Sequence, residues 1–337
     1  MTDIKTSYLG LELQNPIIVG ASNLSDSVEK ITKLQKAGVG AIVFKSLFEE
    51  QIQLEEMEME QEMEAYNERH AEMISLFPNL KYAGPEVHLQ MIREVRKAVS
   101  IPLIASINAV YSDSWVEYAK KVEKTGVDAI EINFYHTPKD FGVAGSVVIE
   151  EQLDILKRIK SIVSIPISVK LSPFYANQLE VISQMSMAGA DGVVLFNRFF
   201  QPDIDVEEER LIQRITLSTP DEMLLPLKFT GLLFGHITAD ICGGTAISNG
   251  QDIAKMVLAG ASAVQVVSAF YRNKISHAST MIKELEMWMQ RKGYQNILDF
   301  QGKLSKKNIN LPFAYQRSQY VDILLNAEYL LKQKALI

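Results

Sequence analysis

Eight short apolar runs, each separated from the next by amphipathic sequence, constrain this chain more than any other feature. They read PIIVGAS from Pro16, GAIVFKS from Gly40, IPLIASIN from Ile101, DAIEINF from Asp128, IPISVKLS from Ile165, ADGVVLFN from Ala190, ADICGG from Ala239 and SAVQVVSA from Ser262. A largely continuous apolar run suits a strand buried on both faces, and such strands belong to parallel sheets joined by helical crossovers. Eight of them predict a TIM-type (β/α)8 barrel. A doubly wound open sheet is the alternative, but it needs a topological switch point that no segment marks.

The approach to several strands repeats one pattern. AGVGA, TGVDA, AGADG and AGASA place Gly38, Gly126, Gly189 and Gly260 just past a helix, where a left-handed residue ends it. The recurrence favours a single barrel domain over residues 1–337. Two segments interrupt it. EEQIQLEEMEMEQEMEAYNERH, from Glu49 to His70, is acidic and rich in helix formers, which predicts a solvated helical excursion after the second strand. A lid or partner-docking surface, with the methionines as an adaptable apolar face, is the sharper reading of the same segment. The second interruption, from Phe196 to Glu222 after the sixth strand, is expected over the barrel mouth.

Composition excludes several classes. Of 337 residues 47% are apolar, enough for a large core, and a net charge of −7 with scattered Lys and Arg leaves no footprint for nucleic acid. Cys242 is the only cysteine, so neither an intrachain disulfide nor a thiolate cluster is expected, and a reducing cytoplasm fits. The start MTDIKTSYLGLELQNP has no basic segment leading into an apolar run, and nowhere do about 18 apolar residues follow one another. Neither export nor a membrane span is expected. With no HExxH pair and no cysteine cluster, no dedicated metal site is expected, and His70, His88, His236 and His277 read as surface or packing residues.

A barrel of this kind carries its chemistry at the C-terminal ends of its strands. That rule selects Ser22, Lys45, Asn108, Asn133, Lys170 and Asn197 at the ends of the first six. A lone strand-end lysine reads as a rim ion pair, but six polar ends together suit a planar heterocycle with anionic character. Ammonium groups favour its charge and amides read its NH and C=O groups. After the seventh strand CGGTAISNGQD, from Cys242 to Asp252, leads glycine-rich backbone into a helix start. That is a phosphate cradle or simply a tight turn, and Ser268 and Ala269 after the eighth strand can close the cradle. Past Asn133, His136 and its neighbour Tyr135 are candidates for proton transfer at the mouth, with loop anchoring as the plainer alternative.

Over nearly its whole length the chain resembles the flavin-dependent dihydroorotate dehydrogenase and dihydropyrimidine dehydrogenase barrels. The resemblance runs through LGLELQNPIIVGAS, VFKS, IASINAVYSDSW, DAIEIN, ISVKLSP, AGADGVVLFN, LAGASAVQVVSA and KGYQNILDFQGKLS. LFNRFFQPDID and ISVKLSPF are most similar to a subgroup called dihydroorotate dehydrogenase-like proteins. The resemblance implies an FMN over the barrel mouth, with Ala21 and Ser22 against the isoalloxazine, Lys45 and Lys170 on its polar edge and Asn108 nearby. It implies Asn133 and Asn197 on the pyrimidine amides, and the phosphate on backbone N–H groups of the last two loops. Gly243 and Gly244 match the family's glycines only with an insertion, whereas an ungapped match puts Thr245 and Ala246 there. Gly243, Gly244, Thr245, Ser268 and Ala269 are the phosphate candidates.

The implied reaction oxidises a dihydropyrimidine such as dihydroorotate to orotate, a base taking the C5 proton while hydride leaves C6 for flavin N5. The family's base is a cysteine or serine in a pattern of the type NLSCPN. Here the chain reads NFYHTP, which sets His136 at the cysteine and Tyr135 at the serine before it. Imidazole is bulkier than a thiol and can reshape the pocket against dihydroorotate. Met73 stands for a pyrimidine-binding asparagine, and Arg198 stands where Ser or Thr is usual, to meet a substrate carboxylate or else Asp203 or Asp205. Three functions are therefore compatible: dihydropyrimidine oxidation, FMN chemistry on another small anionic unsaturated molecule, and a non-catalytic flavoprotein subunit docking through the acidic segment. Quinone, fumarate, NAD through an electron-transfer partner and ferredoxin all fit a chain without iron–sulfur cysteines, and barrels resembling this one often form homodimers.

Overall fold

The computed structural model of the chain describes residues 2–48, 85–108, 112–134, 141–198, 201–310 and 315–329. The chain enters through an antiparallel hairpin, β1 (Thr6–Tyr8) and β2 (Leu11–Leu13). It then lays down β3 (Ile17–Val19), β4 (Ala41–Phe48), β5 (Leu103–Asn108), β6 (Ala129–Asn133), β7 (Ile167–Leu171) and β8 (Gly192–Leu195). A second hairpin, β9 (Pro202–Asp205) with β10 (Arg210–Gln213), precedes β11 (Asp240–Gly243) and β12 (Ala263–Val266). β3 to β8, β11 and β12 form a closed parallel barrel, and they are the eight apolar runs of the sequence. Gln265 lies beside Ile18 and Ile18 beside Ala41, so the ring shuts across the chain's two ends and the open-sheet alternative fails.

Alternation along each strand divides two apolar layers. Outward residues such as Ile17, Ile42, Ile130, Val169 and Val264 join the layer under the helices. Inward residues Ile18, Val43, Ile104, Ala129, Val194, Cys242 and Ala263 form a separate interior cluster with Tyr8, Leu9 and Leu13 of the first hairpin. The hairpin is thus the floor of the barrel. Each buried leucine or isoleucine there contributes about 2 kcal/mol of transfer free energy. The floor also explains one glycine: a Cβ at Gly192 would stand 2.5 Å from Leu9 Cδ2 and 3.0 Å from Tyr8 Oη. Leu9 N–H donates to Asp240 Oδ2 at 2.8 Å, fixing the hairpin to β11.

The helices start and stop where their sequences direct. Ser27, Asn177 and Asn249 cap the helices Val28–Lys36, Gln178–Met187 and Gly250–Ala259 through side chains that accept an N–H three residues on. Gly38, Gly126, Gly189 and Gly260 have φ of 91°, 84°, 104° and 127°, as the repeated pattern predicts. Gly260 is further confined, because a Cβ would meet the Phe234 ring at 2.5 Å. The acidic stretch from Glu49 to His70 lies outside the described residues. Among the described residues no helix is long and apolar enough to cross a membrane, and no group of three or more His, Cys, Asp or Glu side chains is disposed to hold a metal ion.

Candidate active site

The inward positions that carry the interior cluster continue, two residues further along each strand, into the polar mouth. Val43 leads to Lys45, Ser106 to Asn108, Glu131 to Asn133 and Ser168 to Lys170. Asn133 and Lys170 are register partners across β6 and β7. Ala21 and Ser22 follow β3, where Ser22 Oγ bonds Gly20 O at 3.2 Å and turns the chain. The loop's Ser25 O accepts the Lys45 N–H at 3.1 Å.

Lys45 is held from its other side by His88, on the helix Pro85–Ala98. His88 Nε2 lies 2.8 Å from Lys45 O and Nδ1 lies 2.6 Å from Tyr118 Oη, which fits a tautomer with Nε2–H donating to the carbonyl and the phenol donating to Nδ1. Burial pushes this imidazole down to about 4, against the backbone bond to Lys45, which favours charge. His88 therefore stays neutral and props the strand end. The expectation of a surface or packing role missed that contact, which joins residues 43 positions apart. Lys45 Nζ itself has no partner among the described residues.

Asn197 Nδ2 donates to Asn133 Oδ1 at 2.6 Å. Each side chain thus spends one polar atom on the other, which leaves Asn133 Nδ2 as donor and Asn197 Oδ1 as acceptor. That is the complement of an amide or imide edge. Asn108 Nδ2 is buried without a partner among the described residues, an omission costing about 1–3 kcal/mol unless a ligand acceptor fills it. Lys170 Nζ donates to Gln265 Oε1 at 3.0 Å, and Gln265 Nε2 donates to Glu131 Oε2. Desolvation pushes the fully buried Glu131 carboxyl up, opposed first by Lys170 and then by Gln265.

Arg198 is committed elsewhere. Its Nε donates to Glu222 Oε2 at 2.9 Å and its Nη groups donate to Thr216 O and Oγ1. The ion pair expected with Asp203 or Asp205 is not formed, because Arg214 and Arg210 take those carboxylates. Arg198 instead ties the mouth to the segment behind β10. A cavity of about 520 Å³, lined among others by Phe174, Asn197, Arg198, Arg214 and Thr245, opens there between the second hairpin and the mouth.

The phosphate candidates resolve by backbone conformation. Gly243 ends β11, and Gly244 gives its N–H to Leu195 O at 2.5 Å. Thr245 and Ala246 follow with φ of 64° and 60°, left-handed conformations that non-glycine residues rarely hold. Their N–H groups have no partner among the described residues, and neither do those of Ser268 and Ala269, which open the helix Ser268–Asn273. These four donors follow neighbouring strands, β11 and β12, and suit an anion. Ala246 was not among the candidates, although the ungapped match pointed to it. Together with the unpartnered Asn108 amide and the two lysines, these donors fit an FMN. Tyr135, His136 and Met73 lie outside the described residues.

A family profile described as dihydroorotate dehydrogenase matches residues 3–289. The catalytic subunit of dihydroorotate dehydrogenase B (NAD(+)) from Thermoplasma volcanium is 27% identical over 313 residues, which cover 91% of this chain and 100% of the relative. The protein of the same name from Methanocaldococcus jannaschii is 27% identical over 80% of this chain and 87% of its own. Dihydroorotate dehydrogenase A (fumarate) from Lactobacillus helveticus is 30% identical over 60% of this chain and 68% of its own.

Proposed function

The chain belongs to the dihydroorotate dehydrogenase family of FMN-dependent dehydrogenases, and from that premise we propose that it oxidises a dihydropyrimidine such as dihydroorotate to the conjugated pyrimidine. The observation that carries the proposal is the Asn133–Asn197 pair, whose remaining donor and acceptor match a ring amide, set beside Lys170 at the barrel mouth. When bound, FMN supplies the hydride acceptor. The protein's share is positioning and proton transfer. Lys45 and Lys170 bring positive charge to the cofactor's polar edge, and the Asn108 amide finds there the acceptor it lacks. The N–H groups of Thr245, Ala246, Ser268 and Ala269 receive the phosphate. An imidazole nitrogen of His136, which follows Asn133 in the sequence where the family has its base, takes the proton from C5. The names of two of the relatives specify a catalytic subunit, which supports an electron-transfer partner for this chain as well.

A second reading has its own observation. NFYHTP in place of a small base, and Met73 in place of an asparagine, favour a different small anionic unsaturated substrate. An anaerobic titration of the purified protein with dihydroorotate separates the two. Bleaching of the flavin absorbance supports the first reading. A flavin band that persists at saturating dihydroorotate moves the assignment to the second, and protein without flavin overturns both.

A further inference from the structure

Beneath the mouth lies a carboxylate that the proposed reaction does not use. Glu131 is fully buried and stands in register between Ser106 of β5 and Ser168 of β7, inside the barrel. Its Oε1 has no hydrogen-bond partner among the described residues, while Oε2 accepts from Gln265. Gln265 lies on β12, across the barrel from β6, and its carbonyl oxygen accepts from Lys170 Nζ at 3.0 Å. This amide has one usable orientation. An ammonium is all donor, so Gln265 must turn its oxygen to Lys170 and its N–H2 to Glu131. The resulting line, ammonium to carbonyl and amide N–H to carboxylate, aligns the amide dipole between a cation and an anion.

Among the described residues Lys170 is the one cation that acts on Glu131. Among the described residues the titratable groups around it are Tyr8 from the floor hairpin and Cys242 of β11, with Asp240 two residues earlier on the same strand. Burial pushes both the Tyr8 phenol and the Cys242 thiol up, so they are neutral, and Lys170 is the cation that acts on the carboxylate. A glutamine at 131 would accept the same hydrogen bond without the penalty of a buried charge. The Lys170 ammonium opposes the desolvation of Glu131, and it is this lysine at the cofactor's edge that the carboxylate reaches through Gln265.

We infer that Glu131 is a positioning residue for the flavin, which through Gln265 fixes the Lys170 ammonium and offsets part of its positive field at the cofactor. The inference rests on the FMN reading. Reduction places negative charge on a flavin, so a less compensated ammonium favours the reduced form. The measurement is the two-electron midpoint potential of the flavin in the wild-type protein and in Glu131→Gln, Glu131→Asp and Gln265→Leu.

Glu131→Gln is expected to favour reduction tenfold, an upward shift of about 30 mV. Glu131→Asp is expected to return most of it, and Gln265→Leu, which keeps the carboxylate but cuts the link, to shift in the same direction as Glu131→Gln. An unchanged potential in flavin-loaded Glu131→Gln overturns the inference and leaves the FMN reading intact. If Glu131→Gln does not fold, Gln265→Leu decides: an upward shift supports the inference and an unmoved potential overturns it. A wild-type protein that carries no flavin overturns the FMN reading and the inference with it.

Discussion

Single side chains at the mouth act through protonation states that burial sets. His88 is held neutral, down to about 4 from an ordinary 6.5. Between those values the unfolded chain binds more protons than the folded one, so the stability this residue contributes is full above pH 6.5 and falls as pH drops towards 4. The loss amounts to roughly 3 kcal/mol. Urea unfolding followed from pH 7.5 to pH 4 is expected to show that decline, and His88→Gln to flatten it. His136 should behave differently, because the role proposed for it is kinetic. His136→Ala is expected to slow anaerobic flavin reduction by about 10²–10⁴-fold while leaving the urea midpoint unmoved. Reduction at the wild-type rate would remove it as the base. The strand-end residues were legible because alternation and the barrel rule together place them. Glu131 and Gln265 were not singled out, although a polar residue at an inward position of a buried run was the available signal. His88 was hidden by distance along the chain, since nothing local to an amphipathic helix tells which carbonyl a histidine will meet.

At the scale of the element, one loop and one hairpin are constrained in opposite ways. The turn after β11 holds Thr245 and Ala246 at positive φ, each at a strain of about 1–2 kcal/mol. Ala246→Gly relieves that strain but adds unfolded-state entropy, and a net stabilisation of at most about 1 kcal/mol is expected with the flavin retained. Ala246→Pro removes an N–H and demands φ near about −65°, so it is expected to purify without flavin, which the visible spectrum reads directly. The floor hairpin makes the opposite case, where space decides. Gly192→Ala drives a methyl against Leu9 and Tyr8 and is expected to cost about 1–3 kcal/mol in thermal or urea unfolding. Elements of this kind differ in how plainly they read. The glycines past four of the helices announce themselves by repetition, whereas a strained non-glycine loop has no local signature and showed only through an ungapped match to glycines elsewhere.

For the molecule as a whole, the barrel was legible because eight runs with intervening helices admit few arrangements, and the parallel order then follows the chain. Closure joins remote sequence, and the seat of the floor hairpin is the part that stayed hidden. β3 pairs with β12, so Val19 lies beside Val266, and the floor hairpin at Leu9 is bonded to Asp240. These contacts set a calendar for the chain as it leaves the ribosome. The floor is among the first pieces made and one of the last to be seated, because its partners on β8 and β11 emerge some two hundred residues later. Until β12 is out, β3 keeps an open edge and the lysines and asparagines of the mouth have no ring to converge on. Nascent chains halted just before Ala263 are therefore expected to be protease-sensitive and to bind no flavin, and chains released past the end of the barrel to resist protease and bind flavin.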